Sequence, residues 1–180
     1  MPRTRRPCLA ALAILGAAGP ATASMVTLGP GNAQVGLVAY ALGLFPRSGH
    51  FDAFSGQLAF DPAHPDECRV TLHIDAASLR MASTLDNLAR GPGLLDVAHY
   101  PDIAFTGGCG LRTAQGDLTL HGVTRRVSMA ETRTAARLDA AGTLNRRDFG
   151  MTGWPGTIGA TIAMHFTVNL PAALAASPLP

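Results

Sequence analysis

The sequence predicts an all-β fold of antiparallel strands, and three features of the 180-residue chain support this prediction. From Ile158 to Val168 every second side chain is apolar, a spacing that gives a strand one apolar face and cannot do so on a helix. Shorter segments alternate in the same way between turn-forming residues. The 20 Gly and 13 Pro also disfavour a helical bundle. Strands that are half polar suit the wall of a barrel or a sandwich.

The chain begins with the features of an export signal. Three Arg in the first six residues precede an apolar stretch, Leu9–Ala18, and a small-x-small cleavage site at Ala21–Ala23. Ten apolar residues are too few to span a membrane, which takes about 20. We therefore expect cleavage near Ala23/Ser24 and delivery to a bacterial periplasm.

Composition narrows the function further. All 14 basic residues are Arg, so Schiff-base and P-loop lysine chemistry are excluded. Without residues 1–23 the chain has 11 Arg against 12 acidic residues, a formal charge of −1, which argues against nucleic-acid binding. The predicted domains are a signal peptide (1–23), a single β domain (24–170) and a disordered tail (171–180).

The remaining elements follow from local patterns. A helix is predicted over Met81–Arg90, with Ser83 or Thr84 as its cap and Gly91-Pro92-Gly93 as its stop. Further strands are predicted at Gln34–Leu42, Phe54–Phe60, Cys68–Ala76, Asp102–Leu111, Leu118–Leu120 and Val127–Met129. Turns are predicted at Pro46–Gly49, Asp61–Pro62, Gly107–Gly108 and Gly153–Gly156.

Two cysteines remain after signal cleavage, Cys68 and Cys109. If the strands around them pair antiparallel with Asp75 opposite Asp102, the two cysteines also lie opposite each other, close enough for a disulfide. An exported protein meets conditions in which disulfides persist. The competing interpretation is two unrelated buried thiols.

No established catalytic motif is present, and we predict that the protein is not an enzyme and holds no metal or catalytic cofactor. His73 and Asp75 could place two metal ligands on one strand face, but an exposed polar stripe is the commoner explanation. His121 or His165 could act as a general base with Asp148. This leaves a hydrolase or a quinone-modifying enzyme as an alternative.

Four stretches in order along the chain resemble the YceI-like family of bacterial, mostly periplasmic, lipid-binding proteins. They are GHFDAFSGQLAFDP (49–62), AHYPDIAFTG (98–107), GDLTLHGVTRRV (116–127) and LNRRDFGM (144–151). The resemblance implies a lipocalin-like antiparallel barrel of eight strands with a helix packed at its mouth. It also implies non-covalent binding or transport of a polyisoprenoid, an isoprenoid quinone or a fatty amide, without enzymatic activity.

The family is also associated with b561-type membrane cytochromes, so such a cytochrome and the membrane surface are expected partners. An envelope partner-binding module is the other alternative, and a lumen filled by side chains is a further one. Arg125, Arg126, Arg146 and Arg147 follow turn-like segments and are expected on the rim or surface. The predicted lipid-binding residues of the lumen are Phe54, Leu72, Ile74, Phe105, Leu118, Leu120, Met129, Met151, Ile162, Met164 and Phe166.

Overall fold

The computed structural model describes residues 24–61, 64–81, 85–110, 112–134 and 136–171. The predicted signal peptide, the caps proposed for the helix and the tail beyond Pro171 lie outside these residues. No helix in the described ranges is both long enough and apolar enough to cross a bilayer.

In the described part of the chain, eleven strands form one antiparallel sheet, in the order β1-β4-β5-β7-β8-β9-β10-β11-β2-β3-β6. The sheet curls so that one face encloses an interior. The predicted antiparallel β fold is therefore confirmed, but the described sheet has eleven strands where eight were predicted. The strands are β1 (Ser24–Leu28), β2 (Ala33–Ala41), β3 (Phe45–Phe51), β4 (Phe54–Asp61), β5 (His64–Asp75), β6 (Leu79–Met81), β7 (Asp102–Cys109), β8 (Thr113–Leu120), β9 (Val123–Arg133), β10 (Arg137–Asn145) and β11 (Ile158–Asn169).

The α-helix of the described residues, α1 (Leu85–Arg90), follows β6 and packs against it. Arg90 fixes this packing, because its guanidinium donates to the carbonyl of Leu79 and pairs with Asp86 at 3.1 Å. The helix ends before Gly91, as predicted. Its predicted start was wrong, since Met81 belongs to β6. Two short 3₁₀-helices, Ala76–Ser78 and Arg146–Phe149, follow β5 and β10.

Two predicted turns are strand instead. Pro46–Gly49 lies within β3, where Pro46 precedes the part of the strand that pairs with β6, so its missing N–H removes no bond on that side. Gly107–Gly108 lies within β7, and Gly107 faces Gly116 of β8. A Cβ on Gly107 would stand 2.8 Å from the ring of Phe105. Because neither Gly107 nor Gly116 carries a side chain, the ring of Phe105 has room to lie across β7 and β8.

The predicted pairing of β5 with β7 is confirmed residue by residue. Asp75 lies opposite Asp102 and Cys68 lies opposite Cys109, and the two cysteines form a disulfide with their Cα atoms 5.1 Å apart. Both are buried. The bond therefore joins two neighbouring strands at one end of the sheet, which we call the disulfide end.

Candidate ligand cavity

An interior cavity of about 380 Å³ lies inside the curled sheet. Its wall takes residues from β2, β3, β5 to β11 and α1, so almost the whole sheet contributes. The volume is within the range of about 300–1,000 Å³ that is typical of small-molecule sites. The alternative of a lumen filled by side chains therefore does not describe this structure.

The wall is overwhelmingly apolar because each strand turns every second residue inward. Along β5, for example, Val70, Leu72 and Ile74 are buried, while Thr71 and His73 are exposed. Among the described residues of the wall, those with a charged, imidazole or hydroxyl group are Arg47, Glu131, Arg146, Thr157 and His165, and of these only Glu131 and Arg146 are buried.

Ten of the eleven predicted lumen residues line the cavity. The exception is Phe54, which is buried on β4 opposite Ile74 but does not reach the cavity wall. Phe54 belongs instead to the hydrophobic core, near the edge of the sheet where β1 and β4 lie. The ten that line the wall are Leu72, Ile74, Phe105, Leu118, Leu120, Met129, Met151, Ile162, Met164 and Phe166.

Helix α1 and the loop after it also contribute to the wall, through Leu85, Leu88, Ala89, Leu94 and Leu95. Leu85, Leu88 and Ala89 lie in the predicted helix, while Leu94 and Leu95 lie after its predicted stop, and none of the five was predicted to line the lumen. Their inward direction depends on how α1 packs on β6, which local periodicity in a six-residue helix does not reveal.

Arg146 corrects the sequence-based expectation most strongly, since it was expected on the rim or surface and is instead 1% exposed. Its guanidinium donates to three backbone carbonyls: Ile158 at 3.1 Å, Gly159 at 3.0 Å and Met151. Burial, with a smaller contribution from the neighbouring charge of Arg147, lowers the pKa of Arg146. A guanidinium nevertheless stays protonated in proteins. We call this region of the cavity the Arg146 end.

Three of the family-like stretches meet at the Arg146 end. The ring of His121, in the turn between β8 and β9, packs on Tyr100 with centroids 4.2 Å apart. Gly122 has φ +71°, and a Cβ there would stand 2.6 Å from the Tyr100 ring. A Cβ on Gly150 would in turn stand 3.3 Å from the ring of His121. These motif residues therefore shape this end of the sheet.

Glu131 lies at the disulfide end of the cavity and was missed by the sequence analysis. Its side chain is fully buried, and Oε1 accepts a 2.7 Å bond from Arg133. Burial raises the pKa of Glu131, while the hydrogen bond and charge of Arg133 act in the opposite direction. The signal was present, because Val127, Met129 and Glu131 share the same strand parity.

The candidate metal and catalytic residues lie on four elements: β5, the turn between β8 and β9, the second 3₁₀-helix with Asp148, and β11. His73 and Asp75 are exposed on β5, and a carboxylate oxygen of Asp75 accepts a bond from the N–H of Ala77. His165 is exposed on β11, apart from the turn that carries His121. Across the described ranges, no group of three or more His, Cys, Asp or Glu residues could hold a metal ion.

The fold and the cavity together define a class of protein: an antiparallel β-sheet curled around an apolar, ligand-sized interior. Comparison with known proteins gives the family. The YceI-like domain matches residues 27–170, and the chain belongs to this family.

Curated relatives agree with this assignment. A UPF0312 protein of Pseudomonas putida is 32% identical over 138 residues, covering 67% of this chain and 71% of the relative. One from Pseudomonas syringae pv. tomato is also 32% identical, over 136 residues, covering 66% and 70%.

Two solved structures share the fold. BcnA of Burkholderia cenocepacia has a TM-score of 0.67 at 21% identity, covering 77% of this chain and 96% of that one. A polyisoprenoid binding domain from Saccharophagus degradans, implicated in plant cell wall breakdown, has a TM-score of 0.59 at 16% identity. The match covers 83% of this chain and all of that domain.

Proposed function

We propose that this protein binds a long apolar lipid non-covalently in its interior cavity and carries or stores it in the periplasm. The proposed ligands are a polyisoprenoid, an isoprenoid quinone or a fatty amide, held by the ten predicted lumen residues and their neighbours. The observation that carries the proposal is the apolar cavity of about 380 Å³, whose wall runs from Arg146 to Glu131. The solved relative described as a polyisoprenoid binding domain supports it.

The energetics suit an apolar chain. Each buried isoprenoid unit contributes roughly 3 kcal/mol, at about 0.8 kcal/mol per CH₂. Four units contribute roughly 12 kcal/mol, and a cost of about 4 kcal/mol for association leaves micromolar affinity. Binding therefore needs no covalent step.

Native mass spectrometry of protein purified from cells, followed by organic extraction, tests this function. A bound lipid of defined mass is the expected result, and Ala140→Phe is expected to reduce its occupancy because Ala140 lines the cavity. Ala141→Phe is the matched control, since Ala141 is the next residue and is exposed. An empty wild-type protein that also fails to take up a polyprenyl quinone would refute the proposal.

Periplasmic location is supported by the Arg-rich start, the apolar stretch and the disulfide. Intact mass measurement of protein recovered from the periplasmic fraction is expected to show a mature chain that begins at Ser24 with Cys68 and Cys109 oxidised. Retention in the cytoplasm with an uncleaved N-terminus would contradict this part of the proposal.

Contact with the membrane surface is proposed for the Arg146 end. The turn between β2 and β3 and the loop before β11 expose Leu42, Leu44, Phe45 and Trp154 there. A backbone bond from Leu42 to Thr157 holds the two segments together, and Thr157 also lines the cavity. Exposed apolar side chains next to the cavity wall suit lipid entry from a bilayer.

The double substitution Leu44→Ser, Trp154→Ser is expected to slow lipid transfer from phospholipid vesicles severalfold while leaving equilibrium occupancy unchanged. Met25→Ser is the control, because Met25 is 62% exposed but lies on β1, at the disulfide end. Equal transfer rates in all three proteins would rule out this contact surface.

The cytochrome partner is a separate proposal. Pull-down of a b561-type cytochrome that persists with Ala140→Phe would establish partner binding independent of the lipid. An interaction lost together with the lipid would indicate that the partner recognises the loaded form. Absence of any interaction would contradict the cytochrome assignment.

A further inference from the structure

Glu131 places the only carboxyl group in the cavity wall, within the described ranges of the chain. Its side chain is completely shielded from solvent. A carboxylate has two oxygens and about four acceptor positions, and burial makes each unfilled one costly. The position is therefore informative about what occupies the cavity.

The two oxygens of Glu131 have different surroundings. Oε1 accepts the bond from Arg133, whose guanidinium also stacks over the Phe60 ring at 4.5 Å. Oε2 has no hydrogen-bond partner among the described residues, although it is fully buried. The ion pair with Arg133 thus provides a hydrogen-bond donor for one of the two carboxylate oxygens and leaves Oε2 without one.

The wall residues next to Glu131 have small side chains. Ala140 lies directly opposite on β10, and Ala114 of β8 also lines this end of the cavity. These are the smallest side chains that carry a Cβ. The rest of the wall here, including Leu138 and Cys109, offers no strong hydrogen-bond donor.

We propose that Glu131 Oε2 accepts a hydrogen bond from the head group of the bound lipid. The cavity then selects an apolar chain that ends in a donor, such as a hydroxyl, a phenol or an amide N–H, placed at the disulfide end. A phosphate or carboxylate head is disfavoured there by like charge. This inference rests on the proposed function of lipid binding.

The test compares two probes that share a four-unit prenyl chain: the alcohol geranylgeraniol and its methyl ether, which lacks the donor. Dissociation constants are measured by isothermal titration for wild type and Glu131→Leu. We expect wild type to bind the alcohol about tenfold or more tightly than the ether, as a hydrogen bond to a charged group provides. In Glu131→Leu the ratio is expected to fall to about one, with the ether still bound.

The outcomes separate this inference from the proposed function. If wild type binds both probes equally, or if the Leu variant keeps the preference for the alcohol, the head-group contact is refuted while lipid binding stands. If wild type binds neither probe and carries no lipid when purified, the proposed function itself fails.

Glu131→Gln provides a second variant if the Leu variant does not fold. The amide oxygen can keep the bond to Arg133, which turns the NH₂ group, a donor, toward the ligand. The preference for the alcohol is then expected to disappear or reverse. A preference equal to that of wild type would overturn the proposal.

Discussion

Each end of the cavity buries one charged side chain, but the two side chains differ in how many of their polar atoms have hydrogen-bond partners. At the Arg146 end, the guanidinium donates to three backbone carbonyls and 1% of the residue is exposed. At the disulfide end, Glu131 has one oxygen bound by Arg133 and the other without a partner in the described structure. The hydrogen bonds of Arg146 to the backbone stabilise the fold. The second oxygen of Glu131 can accept a hydrogen bond from a ligand.

The largest expected effect is at the Arg146 end. Arg146→Met leaves the carbonyls of Met151, Ile158 and Gly159 without their donor, and we expect a loss of about 5 kcal/mol in the free energy of unfolding. Denaturant titration measures this. Arg147→Ala is the control, because Arg147 is exposed and should change stability by less than about 0.5 kcal/mol. Equal effects would mean that the bonds of Arg146 contribute nothing net.

The disulfide is next in size. Its two cysteines are 41 residues apart, and closing a loop of that length is expected to stabilise the protein by about 4 kcal/mol. Cys68→Ala with Cys109→Ala should show this loss in denaturant titration. Dithiothreitol should destabilise wild type by a similar amount and leave the double variant unchanged. A reductant effect on the variant as large as that on wild type would point to a cause other than this bond.

Between the two ends, the Gly107–Gly116 pair carries a smaller effect. A Cβ on Gly116 would stand 2.5 Å from the carbonyl of Thr106 and 2.6 Å from the Phe105 ring. Gly116→Ala is therefore expected to cost about 2 kcal/mol through overpacking. Gly31→Ala is the control, because a Cβ there meets nothing within 4 Å. A stable Gly116 variant would show that Phe105 can move aside at little cost.

The smallest effect concerns pH at the disulfide end. Burial raises the pKa of Glu131, so between its ordinary value and the raised value the folded protein binds more protons than the unfolded chain. This contribution to stability is present at low pH and is lost as pH rises through the raised pKa. Wild type should therefore lose stability relative to Glu131→Gln as pH rises across that window. A difference that is flat from pH 4 to 8 would contradict the direction of the shift.

Features set by side-chain alternation were predictable from the sequence. The parity of β5 and β11 placed Leu72, Ile74 and Met164 on the inner face, and a register with Asp75 opposite Asp102 brought the two cysteines together. Such features depend on a period of two, which local sequence shows directly. The strand β3 was missed because Pro, Ser and Gly in one segment also favour turns.

The charged residues of the cavity were harder to predict for a different reason. Arg146 and Arg147 are chemically identical neighbours, and only the 3₁₀-helix capped by Asn145 decides which one turns inward. The strand parity of Glu131 pointed inward, but its ion pair with Arg133 is completed by Phe60 of β4, a strand far away in sequence. Tertiary partners of this kind leave no local pattern.

The Cys68–Cys109 bond also affects how the protein must be produced for any measurement. Thiols in a bacterial cytosol are kept reduced, so recombinant material expressed there and purified under reducing conditions lacks this crosslink. Such a preparation would melt earlier and could release bound lipid during isolation. Samples for mass spectrometry or calorimetry should therefore come from exported or reoxidised protein, with the thiol count checked first.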